Sequence, residues 1–222
     1  MKKIIFIFLL TLVFILFFFL FVFGQSLKRG EEGRLAIYFQ GEKVGYEEYR
    51  WSKQGENYLL EVEGQLTKPV ALVIEHLQIV LDAALIPQKF ELTGTISGVH
   101  QEIFSELQEG KVTNRIRVAG QEQILTHTIR RDTFLLPNPV FSPYLVLTKK
   151  FRCQLDSQSE PQEISIYVIP QVELKATIQA EANEPCGLVI QLGGTEVRLK
   201  TNPQGKLLSL SIPSQRLEVV PE

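Results

Sequence analysis

His100 and Glu102 are the pair in this chain best spaced for acid–base chemistry. Two residues apart on an alternating segment, they share one face, and a carboxylate beside an imidazole can orient a general base. Same-face polar neighbours on a strand are equally what a solvated surface presents. Neither His76, next to Glu75, nor His127, between Thr126 and Thr128, adds a third member to the pair. The nucleophile elbow G-x-S-x-G, a Walker loop, G-x-G-x-x-G and H-E-x-x-H are all missing from the sequence. Carboxylates are scattered through turns and exposed faces, so no two of them stand out as a glycosidase couple. The side chains therefore read as those of a non-enzymatic protein that needs no cofactor.

Cys153 and Cys186 are the 2 cysteines. In an oxidising compartment they most simply pair, with free buried thiols or a metal site as alternatives. The metal site lacks ligands, because no histidine lies near either cysteine in sequence. A bridge would close a loop of about 34 residues and stabilise by roughly 3–4 kcal/mol in the chain-entropy treatment.

The compartment is set by the first residues. Lys2 and Lys3 precede an unbroken apolar run from Ile4 to Phe23, broken in polarity only by the Thr11 hydroxyl. That arrangement is an export signal. Its length suits an uncleaved membrane anchor, whereas Val22-Phe23-Gly24 offers the small residues a signal peptidase reads. Both outcomes put Gln25 onward outside the cytoplasm, in the periplasm or cell envelope, either soluble after cleavage or held at the inner membrane. No cysteine follows the run, which closes the lipoprotein route. The expected organisation is a signal or anchor over 1–24, a polar linker over 25–33, and a single domain over 34–222. Formal net charge is −2 with a pI near 6.0, so nothing in the charge balance favours nucleic acid or an anionic membrane surface.

The elements that would position any site are strands. Leu35, Ile37 and Phe39 alternate before the Gly41-Glu42 turn, Val44–Trp51 follows, and Leu60, Val62 and Leu66 face opposite to Glu61, Glu63 and Gln65. Strands then recur over Gln88–Ile96, His100–Gln108, Lys111–Val118 and Gln123–Arg130, separated by glycine turns. Pro69–Asp82 is apolar on both faces: Ala71, Val73, Leu77, Ile79 and Leu81 on one, Val70, Leu72, Ile74 and Val80 on the other. Such a strand is covered on both sides, or its second face meets a partner or ligand. The period breaks over Thr133–Phe151. Here Ser142-Pro143 reads as an N-cap and first helical residue, and Tyr144–Phe151 as a short helix ending in Lys149 and Lys150. Strands resume at Ile164–Ile169, Val172–Ala180, Leu188–Leu192, Thr195–Lys200, Lys206–Ile212 and Leu217–Val220, with Gly193-Gly194 as a tight hairpin. The fold class is mainly all-β. We expect a long curved antiparallel meander or half-open barrel with one short helix, preceded by the N-terminal hydrophobic helix, and one continuous sheet in preference to two lobes.

The opening hairpin YFQGEKVGYEEY (Tyr38–Tyr49), the apolar strand ending Leu81-Asp82, and Ile86-Pro87-Gln88-Lys89-Phe90 resemble uncharacterised bacterial exported β-meander proteins. More distantly the pattern is similar to the lipoprotein-carrier fold. That resemblance implies a half-open barrel sheltering acyl chains under a small lid, which here would be Tyr144–Phe151. It covers residues 34–212 at the level of strand order and transfers no functional residue.

These readings converge on a non-enzymatic envelope protein whose curved sheet holds a lipid or other hydrophobic ligand on its concave face. The candidate ligand-binding residues are Leu72 and Ile74 on the two-sided strand, and Phe134, Leu136, Phe141, Tyr144 and Leu145 on the covering segment. The alternative is a structural or protein-interaction module of an envelope assembly, with the membrane a partner through the uncleaved N-terminal segment.

Overall fold

The computed structural model describes residues 30–155 and 160–222. The hydrophobic segment 1–24, the linker up to residue 29 and the middle of the 154–162 loop lie outside the described residues. Among the described residues no helix is long and apolar enough to cross a membrane.

Eight strands come first: β1 (Glu31–Phe39), β2 (Glu42–Gln54), β3 (Asn57–Leu66), β4 (Leu72–Leu81), β5 (Pro87–Ile96), β6 (Val99–Gln108), β7 (Lys111–Val118) and β8 (Gln121–Thr128). A short strand β9 (Phe134–Leu136) and the helix α1 (Tyr144–Phe151) follow. The chain ends with β10 (Gln162–Val168), β11 (Val172–Ala180), β12 (Gly187–Leu192), β13 (Thr195–Thr201), β14 (Leu207–Ile212) and β15 (Leu217–Pro221). The expected helix has the bounds read from the sequence, and β1 starts earlier than expected, taking Glu31–Gly33 out of the linker.

All 15 strands form one sheet in the order β8-β7-β6-β5-β4-β3-β2-β1-β15-β14-β13-β12-β11-β10-β9. Each half is a meander of neighbours in sequence, with glycine in the turns between β1 and β2, β2 and β3, β5 and β6, β6 and β7, β7 and β8, β12 and β13, and β13 and β14. The two halves fuse where β1 pairs antiparallel with β15, Leu35 opposite Pro221 and Phe39 opposite Leu217. That single pairing makes one continuous sheet instead of two lobes. One pairing departs from the antiparallel expectation: β9 lies parallel to β10, Phe134 opposite Ile166. Phe134–Leu136, read as non-strand, is thus an edge strand.

The two-faced reading of the fourth strand is corrected by a bulge. Gly64 pairs with Ile74 but Val62 with Leu77, and the β5 side shows the same slip between Ile74 and His76. The extra residue shifts the phase, as a bulge does. Leu72, Ile74, Leu77, Ile79 and Leu81 consequently all turn inward and are buried, while Val73 is 46% exposed. A Cβ on Gly64 would lie 2.4 Å from the Tyr46 carbonyl oxygen, and one on Gly94 2.3 Å from that of Val73. Only glycine permits so close a backbone approach within a sheet.

The concave face is filled. Leu60, Leu77, Phe90, Ile166, Ile190 and Leu210 from the sheet are fully buried, and α1 lies against them with Tyr144, Leu145, Val146, Leu147, Thr148 and Phe151 buried. Five of those side chains are largely apolar. At ~1.5–3 kcal/mol each, their burial contributes on the order of 10 kcal/mol before entropy. The helix is thus part of the buried core. Its far end is fixed by Lys150 Nζ donating to the Ala84 carbonyl (2.8 Å) and by the Cys153–Cys186 disulfide, which ties the turn after α1 to the start of β12.

Its near end is held in an unexpected way. Ser142 does not cap α1, and no side chain makes a cap hydrogen bond there. Glu47 of β2, 2% exposed, accepts from the backbone N–H of Phe141 (2.8 Å) and of Ser142 (2.6 Å), and from Ser142 Oγ (2.5 Å). An acceptor from the sheet wall replaces the local cap, satisfying donors that precede the first helical turn. Burial pushes the Glu47 carboxyl above its ordinary value, against the pull of those three hydrogen bonds.

Candidate functional site

The site lies where the sheet fails to close. β8 and β9 are the two edge strands, joined in sequence by residues 129–133, and they do not pair with each other. The stretch continuing from β9 is Pro137-Asn138-Pro139. Proline carries no N–H, so two of these three residues supply no ladder donor.

Side chains bridge the seam instead. At one level Glu173 Oε1 accepts from the Arg130 backbone N–H (2.7 Å) and the Ser165 hydroxyl (2.5 Å), with the Thr133 hydroxyl 2.9 Å away. Burial raises the Glu173 carboxyl, but these contacts and the Arg130 charge outweigh it and hold it below its ordinary value. At a second level Asn114 of β7 reaches across to β10. Its Nδ2 donates to Tyr167 Oη (2.8 Å) and the Pro170 carbonyl (3.1 Å), and its Oδ1 accepts from Ser105 Oγ (2.7 Å). Tyr167 Oη donates to the same Pro170 carbonyl at 2.6 Å. Ser105, Asn114 and Tyr167 are fully buried, and every polar atom of the Asn114 amide is matched. The His127 ring stacks at a tilt 6.0 Å from Tyr167, and its Nε2 is buried without a partner.

Beside this strut, between the inner face of β4–β8 and the crossing segment Pro137–Val140, is a cavity of about 320 Å³. Leu72, Leu92 and Ile103 form a buried floor. Ile116 and Leu125 line its sides, and Gln101, Gln123, Asn138 and Gln171 supply carboxamides, of which the last three are exposed. A larger depression of about 430 Å³ lies on the outer face of β1–β4. Its two arginines are each paired, Arg50 with Glu32 at 3.0 Å and Arg34 with Glu48 at 3.7 Å, and Glu61 and Glu63 add further carboxylates, so it is a charged, solvated surface.

Of the residues singled out from the sequence, Leu72 lines the cavity. Ile74, Phe134, Leu136, Phe141, Tyr144 and Leu145 are all buried in the same core without lining it. Burial alone pushes the Tyr144 hydroxyl up to about 12. His100 and Glu102 share the outward face as expected, 3.8 Å apart, with the histidine side chain 54% exposed. The lining residues on β6–β8 and at Pro137–Val140 escaped the sequence reading. Two signals were present: the proline pair after an apolar run, and Gln101 and Gln123, each two residues before an apolar lining residue (Ile103, Leu125) on the same strand face.

Fold and site together define a class: a helix-filled, half-open β-meander with an apolar cavity at its unclosed seam. No protein-family model matches the chain, and no curated protein matches it. Among solved structures it is similar to a crystal structure of a DUF1089 family protein from Pseudomonas aeruginosa, with 10% identity, TM-score 0.41, and coverage of 84% of this chain and 92% of that one. A likeness so remote carries no argument about function, and it does not bear on the lipoprotein-carrier resemblance.

Proposed function

We propose that this is an exported envelope protein that binds a lipid or other hydrophobic ligand in the seam cavity, without catalysing a reaction. The observation that carries the reading is the cavity itself, with its apolar buried floor and a mouth of exposed carboxamides. Its volume of about 320 Å³ falls within the ~300–1,000 Å³ of small-molecule sites, which combine apolar walls with a few polar groups. The ligand's place thus moves from the general concave face, which α1 fills, to the stretch that the proline pair leaves unzipped.

Native mass spectrometry of protein recovered without detergent tests this reading. The expected result is an added mass that organic extraction removes, and its loss in Ile116→Trp, where the indole fills the cavity. A second reading, an interaction module, is favoured by edge strand β8, on which Ile124 is 58% exposed. An unpaired edge can accept a partner's strand. Protein recovered bare, and unaffected by Ile116→Trp, would favour that reading.

A further inference from the structure

Resting on the binding reading above, we infer that the ligand is a single-chain amphiphile of medium length whose polar end is uncharged. Length follows from volume. The cavity, about 320 Å³, is roughly twice the ~150 Å³ engineered cavity that accepts one benzene, so it accommodates about a dozen non-hydrogen atoms. One alkyl chain of about ten carbons fits, whereas a second chain or a long one does not.

The polar end is specified by what surrounds the mouth. Among the described residues no acidic or basic side chain lines the cavity; its polar side chains are the carboxamides of Gln101, Gln123, Asn138 and Gln171. Each carboxamide offers two N–H donors and one carbonyl acceptor, a set that matches hydroxyl groups, which donate and accept, and ester carbonyls, which accept. A carboxylate or phosphate would find donors there but no opposite charge, and would give up hydration at an apolar wall without compensation. Nearby ionic groups are engaged elsewhere: Arg117 binds Glu102 at 2.9 Å and Glu122 at 3.0 Å on the outward face. The carbonyl of Pro170, itself a lining residue, is occupied by Asn114 and Tyr167. The β10–β11 turn carrying Gln171 is therefore held in place by a network with no charge of its own.

The experiment is a binding titration of the full-length protein, recovered without detergent, with 1-monodecanoylglycerol and with decanoate at pH 7.5. The expected result is that the glycerol ester binds at least about tenfold more tightly than the anion, a difference of ~1.4 kcal/mol. Lengthening the ester chain to sixteen carbons should bring no further gain. Gln123→Lys should recover decanoate binding by placing a cation at the mouth, and Ile116→Trp should abolish binding of the ester. Decanoate binding as tightly as the ester, or a sixteen-carbon ester binding far more tightly, would overturn the assignment of ligand class while leaving the cavity reading intact. If neither probe binds, or if Ile116→Trp leaves binding unchanged, the cavity reading itself fails.

Discussion

Replacing Glu47 tests whether a buried carboxyl from the sheet wall seats the central helix. Glu47 meets three donors, the N–H groups of Phe141 and Ser142 and the Ser142 hydroxyl, at 2.5–2.8 Å. In Glu47→Gln one oxygen becomes an NH₂ group, and whichever way the amide turns it faces a backbone N–H. One buried donor is left unmatched, at a cost of about 1–3 kcal/mol. Glu47→Ala leaves both N–H groups without their acceptor and should cost about 3–5 kcal/mol. Equilibrium urea unfolding with the disulfide intact measures both. The pH dependence is the sharper test. Burial holds the folded carboxyl above its ordinary 4.5, so between that value and the folded one the native state binds more protons than the unfolded chain. Stability from Glu47 is then fully present below the ordinary value and is lost as pH rises through the folded one. When protonated, the O–H can donate to Ser142 Oγ while the two N–H contacts persist, so acid leaves the seat intact. Wild type should gain stability over Glu47→Gln as pH falls from neutral toward 4.5. A gap that stays flat, or narrows on acidification, would refute the reasoning, as would a Gln variant as stable as wild type at neutral pH.

Two further outcomes follow from the seam and the disulfide. Asn114→Ala removes the strut between β7 and the β10–β11 turn and orphans Ser105 and one lone pair of Tyr167; it should cost about 2–3 kcal/mol and speed amide hydrogen exchange in Gln121–Thr128 while β2–β4 exchange is unchanged. Reducing the Cys153–Cys186 bridge, which spans a sequence separation of 33, should lower unfolding free energy by roughly 3–4 kcal/mol. Denaturant midpoints with and without reductant give that figure, and an unchanged midpoint would show that the bridge contributes nothing.

Much of the fold was legible because strand periodicity is a local property. Val172–Ala180 and Tyr144–Phe151 have the bounds expected from alternation and from the Ser142-Pro143 start. The candidate site was far less legible. Alternation alone assigns Leu72 and Ile74 to the face opposite Leu77, and nothing local marks the extra residue that brings all three inside. Ser142 looks like a cap from its neighbours alone, yet a carboxylate 95 residues away takes its hydroxyl and its N–H.

The division has a physical cause. Side-chain alternation and glycine turns act over a few residues, so the sequence by itself determined a β-meander, its hairpins and the short helix. Long-range closure depends on which distant surfaces meet. Tertiary structure alone decided that β1 pairs with β15 to make one sheet, that Glu47 seats α1, and that the sheet curls until Asn114 meets Tyr167. The cavity exists only because these two kinds of constraint coincide. Residues of β8 and of the chain after β9 meet at its walls, and Pro137 and Pro139 carry no N–H for a ladder across it.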